Sequence, residues 1–211
     1  MIFEGLAGLS VCGAFGVGAY NFFNFKRSMT YILQSLSQAK DGNVIRKWAL
    51  IPALTFTLDK DRAEFFLVPG KRILWLLITS EQLKDHVGLW ISEGKVLRGV
   101  LHTGNKEFDD CFTISTSANV NKNEALIYRQ MTPEFQRTLL DAKSDICAQI
   151  VNQFIEVFHP KNSSHMMLKI NNFAINSQFG KVRTESSDIS RFEKALSNLS
   201  DVYREFRLKT E

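Results

Sequence analysis

Between Gly5 and Phe25 the chain carries no charged side chain, and no other stretch constrains its folding so strongly. As helix, these 21 residues rise about 1.5 Å each and reach about 30 Å, the thickness of a bilayer's hydrocarbon core. The length predicts a single transmembrane helix, although Gly5, Gly8, Gly13, Gly16, Gly18, Ser10, Asn21 and Asn24 dilute its apolar content. A cleaved signal would need basic residues ahead of the run, yet only Glu4 is charged there, and Lys26-Arg27 follows it. A Gly-rich helix or hairpin buried in a non-membrane protein is the remaining alternative.

Lys26, Arg27, Lys40, Arg46 and Lys47 all follow the run and no basic residue precedes it, which predicts a single-pass membrane protein with its C-terminal domain in the cytoplasm. The same five residues are candidates for contact with anionic lipid headgroups, at about 1 kcal/mol each near a membrane surface. Small residues recur at four-residue spacing as Gly8, Cys12, Gly16 and as Ser10, Ala14, Gly18. Each set shares one helix face and lets another helix approach closely. Membrane lipid, and a protein partner or second copy joined through this helix, are the expected partners. The organisation read from these features is a membrane anchor over 1–27, a juxtamembrane helix and connector over 28–47, and a cytoplasmic α+β domain over 48–211.

Of the 211 residues 45% are hydrophobic and 23% charged, so most of the chain folds. The net charge of +4 is too small an excess to mark a nucleic-acid binder. Ser28 reads as the cap of a helix running to about Lys40, with Met29, Ile32, Leu33, Leu36 and Ala39 on one face and Gly42 as its stop. Strands are expected over 48–58, 63–68, 73–79, 89–92, 96–101, 112–116, 146–151, 154–158, 166–170 and 173–175, from alternating or continuous apolar runs between turn residues. Helices are expected over 80–85 and 121–129 and from Thr132-Pro133-Glu134 onward, where hydroxyl, proline and acid suit a helix start. From Asp188, the residues Ile189, Phe192, Leu196, Leu199, Tyr203 and Phe206 form one stripe, which packs on the sheet or joins a second copy as a coiled coil. The fold class is thus α+β: an N-terminal transmembrane helix, then a largely antiparallel sheet with packed helices.

Chemistry-bearing motifs are sparse. Cys12, Cys111 and Cys147 form no CxxC pair, and His86, His102, His159 and His165 form no HxH or HExxH. Only His159 and His165, flanking one loop, could meet a cation. No phosphate-binding loop or nucleophile elbow occurs, and no cofactor or metal is expected. The densest polar group is the loop His102, Asn105, Glu107, Asp109, Asp110 beside Cys111. His102, Asp109 and Asp110 are the candidates there for acid–base chemistry; the alternative is a structural loop whose aspartate binds backbone amides.

The stretch from Gly104 through Phe108-Asp109-Asp110-Cys111-Phe112 to Ile114, followed by Met131-Thr132-Pro133-Glu134-Phe135 through Leu140, resembles a signature of uncharacterised bacterial membrane-anchored proteins. In those, Gly-x-x-x-Phe-Asp-x-x-Phe precedes a Leu-Thr-Pro helix start; Met131 stands here for the leucine. The resemblance covers about half the chain and implies no activity. The function expected from the whole is a membrane-anchored, non-enzymatic interaction or assembly module, such as a subunit of an envelope-associated complex. The alternatives are a tethered hydrolase using the His102–Asp110 loop and an anionic-lipid-binding domain.

Overall fold

In the computed structural model, the described residues are 22–47, 50–68, 71–86, 88–93, 101–116, 127–147, 153–173 and 186–207. Residues 22–40 form helix α1. Strands β1 (Asn43–Lys47), β2 (Ile51–Leu58), β3 (Asp61–Val68) and β4 (Ile73–Thr79) follow, then a 3-10 turn (Glu81–Asp85) and β5 (Leu89–Ser92). Helix α2 (Lys106–Cys111), β6 (Thr113–Thr116), a helical turn α3 (residues 127–130) and α4 (Pro133–Cys147) come next. The chain then runs through β7 (Phe154–His159), β8 (His165–Asn171) and α5 (Ser186–Arg207).

All eight strands join one antiparallel sheet in the order β1-β2-β3-β4-β8-β7-β5-β6. The first four are a meander, and β2 and β3 turn through Asp59 and Lys60, both at positive φ (49° and 79°), the two-residue geometry that matches strand twist. The last two strands then enter between β4 and β5. Period-2 alternation sends Leu54, Phe65, Leu76, Leu168 and Val157 to one face, where they are buried.

That face is covered by helices. Met29, Ile32, Leu33 and Leu36 of α1, Phe135, Leu139 and Ala142 of α4, and Phe192, Leu196, Leu199 and Phe206 of α5 all belong to the same buried cluster. Phe192 sits at its centre, edge-on to Phe65 at 6.2 Å and to Phe173 at 4.8 Å, arrangements that aromatic quadrupoles favour. The far end of α5 is tied to the β2–β3 turn: the Tyr203 hydroxyl donates to Asp61 at 2.6 Å, and Arg204 donates to Asp59 at 2.9 Å. The C-terminal apolar stripe therefore faces the sheet of its own chain.

Several expectations are corrected. Among the described residues no helix is long and apolar enough to cross a membrane, which corrects the expected fold class and single-pass membrane localisation as far as those residues reach; residues 5–21 of the expected span lie outside the described residues. The described end of that span, residues 22–25, belongs to α1, which runs past Lys26-Arg27 to residue 40 and buries its apolar side against the sheet. The small-residue stripes Gly8, Cys12, Gly16 and Ser10, Ala14, Gly18 lie outside the described residues. So do most of the strand expected over 96–101 and the start of the helix expected at 121. The segment 43–47, expected as a connector, is strand β1. Residues 106–110 of the stretch expected as loop over 102–110 belong to helix α2, and Ile146-Cys147 ends α4 instead of opening a strand.

Gly42 closes the α1–β1 corner. Its N–H donates to the Ser37 carbonyl at 3.1 Å, and a Cβ there would stand 2.7 Å from the Thr55 carbonyl oxygen and 2.9 Å from a Leu54 methyl. Since the nearest obstacle is backbone, relief requires β1 or β2 to shift. Gly42→Ala is expected to cost about 1–3 kcal/mol, read as a lower urea midpoint with an unchanged slope; an unaltered midpoint would refute the close approach.

Candidate functional site

The His102–Asp110 segment is a compact helix entry. Asn105 caps α2, its side-chain oxygen accepting from Phe108 N at 3.4 Å, while its amide donates to Gln136 Oε1 at 3.0 Å. Gln136 in turn donates to the Met131 carbonyl at 2.8 Å, which fastens the α2 entry to the start of α4. Phe108 and Phe112, both buried, stack 5.0 Å apart beneath the loop.

Asp109 faces back toward the chain that precedes it. Oδ1 accepts from Thr103 N and Thr103 Oγ1, each at 2.9 Å, and Oδ2 accepts from Gly104 N at 3.1 Å. Three donors take up most of the carboxylate's acceptor positions, about four in all, and tie it to its own loop. His102 lies 4.0 Å from Asp109 Oδ2 with its side chain 77% exposed, and its carbonyl accepts from the Tyr128 hydroxyl at 3.1 Å. Glu107 and Asp110 are exposed and take no part in the Asp109 hydrogen bonds. Among the described residues no group of three metal-ligating side chains occurs.

The five basic residues do not gather. Lys26 and Arg27 lie 13 or more positions along α1 from Lys40, about 20 Å at 1.5 Å per residue. Arg46 and Lys47 are neighbours on β1, so their side chains leave opposite faces of the sheet. Lys47 forms an ion pair with Glu64.

Histidines meet where no local spacing announces it. His86, just after the 3-10 turn, lies edge-to-face with His159 at 5.9 Å, and both face Phe206 at the end of α5, at 5.1 and 6.2 Å. His159 is only 1% exposed, with Nδ1 3.0 Å from the His165 carbonyl. His165, the partner expected from the sequence, is exposed and bonds Thr79 Oγ1 at 3.0 Å. Burial lowers the His159 pKa against the opposing effect of nearby backbone groups of His165, Leu83 and His86. Only the alternation Ile155, Val157, His159 marked this histidine as inward-facing.

The most extended feature is the sheet face opposite the helices. Cross-strand pairs place Phe66, Trp75 and Lys169 in one row, and Glu64, Leu77, Met167 and Phe158 in the next, with Trp90 beside Phe158. Phe66 and Trp75 stack at 6.0 Å, the Lys169 ammonium stands 4.9 Å from the Trp75 ring centroid, and Trp90 meets Phe158 edge-on at 6.1 Å. The charges on this face are mutually paired: Lys169 with Glu156 at 3.2 Å, Arg62 with Glu64 at 3.0 Å, and Lys47 with Glu64. No described helix covers this face, and Trp90 is 40% exposed.

Comparison with family models, with curated proteins and with solved structures finds no match. The motif resemblance over Gly104–Leu140 thus has only the residues quoted for it behind it.

Two outcomes follow from the buried groups. Asp109→Ala strips the acceptor from three hydrogen bonds and is expected to cost about 1–3 kcal/mol of stability; a variant as stable as the parent would refute the bracing role. For His159, the folded state disfavours the charged ring, so below about pH 6.5, the ordinary value, the unfolded chain binds more protons and folding weakens as pH falls. Urea midpoints at pH 7.5 and 5.0 should show that loss, and His159→Gln should reduce it; an equal loss in the variant would exclude His159 as its source.

Proposed function

We propose that this chain is a non-enzymatic interaction module that holds a partner protein on the sheet face that no described helix covers. The observation that carries the reading is the row of Leu77, Met167, Phe158 and Trp90 across four adjacent strands, β4, β8, β7 and β5, with Trp75 in the row beside it. Aromatic residues and methionine are the side chains enriched in protein interfaces, and Trp is the most frequent carrier of binding energy there. The lysines on this face, Lys47 and Lys169, are each neutralised by a glutamate. That pairing favours a protein surface over a polyanion, which would need free cations.

The hydrolase alternative finds less support, because the Asp109 carboxylate is occupied in bracing its own loop. The anionic-lipid alternative is weakened by the dispersal of Lys26, Arg27, Lys40, Arg46 and Lys47 along α1 and across β1. Both alternatives depend on clusters that these side chains do not form.

A photo-crosslinking amino acid placed at Trp90 should capture one protein species in cells. The same group at Glu193, exposed on α5, should not. Trp90→Glu, with a wild-type urea midpoint, should lower recovery of that species at least tenfold when the crosslinker sits at Thr79. Equal capture from both faces, or recovery indifferent to Trp90→Glu, would overturn the reading.

A further inference from the structure

Helix α1 has a second side. About 170° around the helix from Met29, Ile32, Leu33 and Leu36, Phe23, Arg27 and Tyr31 stand in a row at four-residue spacing, which puts them above one another. Phe23 is 65% exposed and Tyr31 53% exposed. With Lys26, Thr30 and Gln34 they line a groove of about 460 Å³. The row is about 12 Å long, two turns of helix.

Two cations and two exposed aromatic rings line this one groove. Arg204 pairs with Asp59 and Asp201, Arg207 with Asp61, Lys194 with Asp145, and Lys84 with Glu81. Among the described residues no carboxylate pairs with Lys26 or Arg27. The Thr30 hydroxyl is spent on the Lys26 carbonyl at 2.8 Å, so the outward-reaching polar groups are two cations, a phenol and an amide. A guanidinium fork binds a carboxylate through two parallel hydrogen bonds. Aromatic side chains on either side exclude water from such a pair and strengthen it.

We propose that the Phe23–Arg27–Tyr31 face of α1 docks an acidic, amphipathic helix of a partner protein. The partner brings a carboxylate to Arg27 and a second to Lys26, and lays apolar side chains against Phe23 and Tyr31. A helix fits because side chains spaced by three and four residues match the row's own period. Two cations suffice for two carboxylates but fall short of the many phosphate contacts a nucleic acid needs. This surface is separate from the sheet face, lying on the opposite layer of the fold.

The full chain would be titrated with a labelled 18-residue helical peptide bearing leucines on one face and glutamates beside them, followed by fluorescence anisotropy. Micromolar binding is expected, weakened at least tenfold by Arg27→Glu, by Phe23→Ser with Tyr31→Ser, and by replacing the peptide's glutamates with glutamine. Lys26→Glu with Arg27→Glu should reverse the preference toward a lysine-bearing peptide. Phe23, Arg27 and Tyr31 are exposed on α1, so urea midpoints of the variants at these three should match the parent and separate lost docking from lost folding. Absence of binding, or binding unchanged by Arg27→Glu, overturns the proposal. Binding to phosphatidylserine vesicles or inorganic phosphate, with none to the peptide, overturns it also. Trp90→Glu should leave peptide binding intact, so that failure here and failure of the sheet-face reading are told apart.

Discussion

Everything described depends on one asymmetry: an eight-stranded antiparallel sheet whose described helices α1, α4 and α5 pack on one side. An antiparallel sheet with a single covered face alternates strictly between buried and wet side chains, and β4 and β7 do so residue by residue. Burying a Phe or Leu contributes about 1.5–3 kcal/mol, so the face carrying Phe65, Leu76 and Leu168 supplies the drive to fold. The opposite face is left to other uses. It keeps its apolar side chains partly covered by neighbours, through the Phe66–Trp75 stack and the lysines above it. Snorkelling lysines of this kind shield ring faces while keeping their charge in water.

Helices α1 and α5 share the same core from different ends of the chain, and each offers a polar outer side of a different kind. On α5 the cations are consumed internally, fixing its end to Asp59 and Asp61. On α1 they are not. The same residue types thus act as structural ties where a carboxylate stands opposite and as open contacts where none does, and topology alone decides which.

Legibility from the sequence followed the range of the interactions. The strand at Ile73–Thr79, the helix start at Thr132-Pro133-Glu134 and the α5 stripe were readable because period and capping are local signals. Strand β1 was missed because Asn43, Arg46 and Lys47 look like connector, and only pairing with β2 makes them a strand. Helix α2 was missed because its entry is held by Asn105, Gln136 and Asp109 together, a tertiary set 31 residues apart at its widest. The charge-free run suggested a membrane span on length and composition alone. Neither property reveals that the helix seen from residue 22 onward runs across the basic pair into a core-packed face. The His86–His159–Phe206 contact had no sequence signature, since three separate elements bring it together.

The order of the strands sets a timetable for making the protein. Thr79 bonds His165 across 86 residues, because β8 and β7 slot between β4 and β5. A chain emerging from the ribosome completes the β1–β4 meander early, but β4 then waits with one hydrogen-bonding edge open until most of the remaining chain has been synthesised. An unpaired apolar edge is a template for wrong partners, and non-local closure of this kind slows folding. Nascent chains stalled before His165 are therefore the form of this protein most exposed to aggregation and most in need of chaperone shelter.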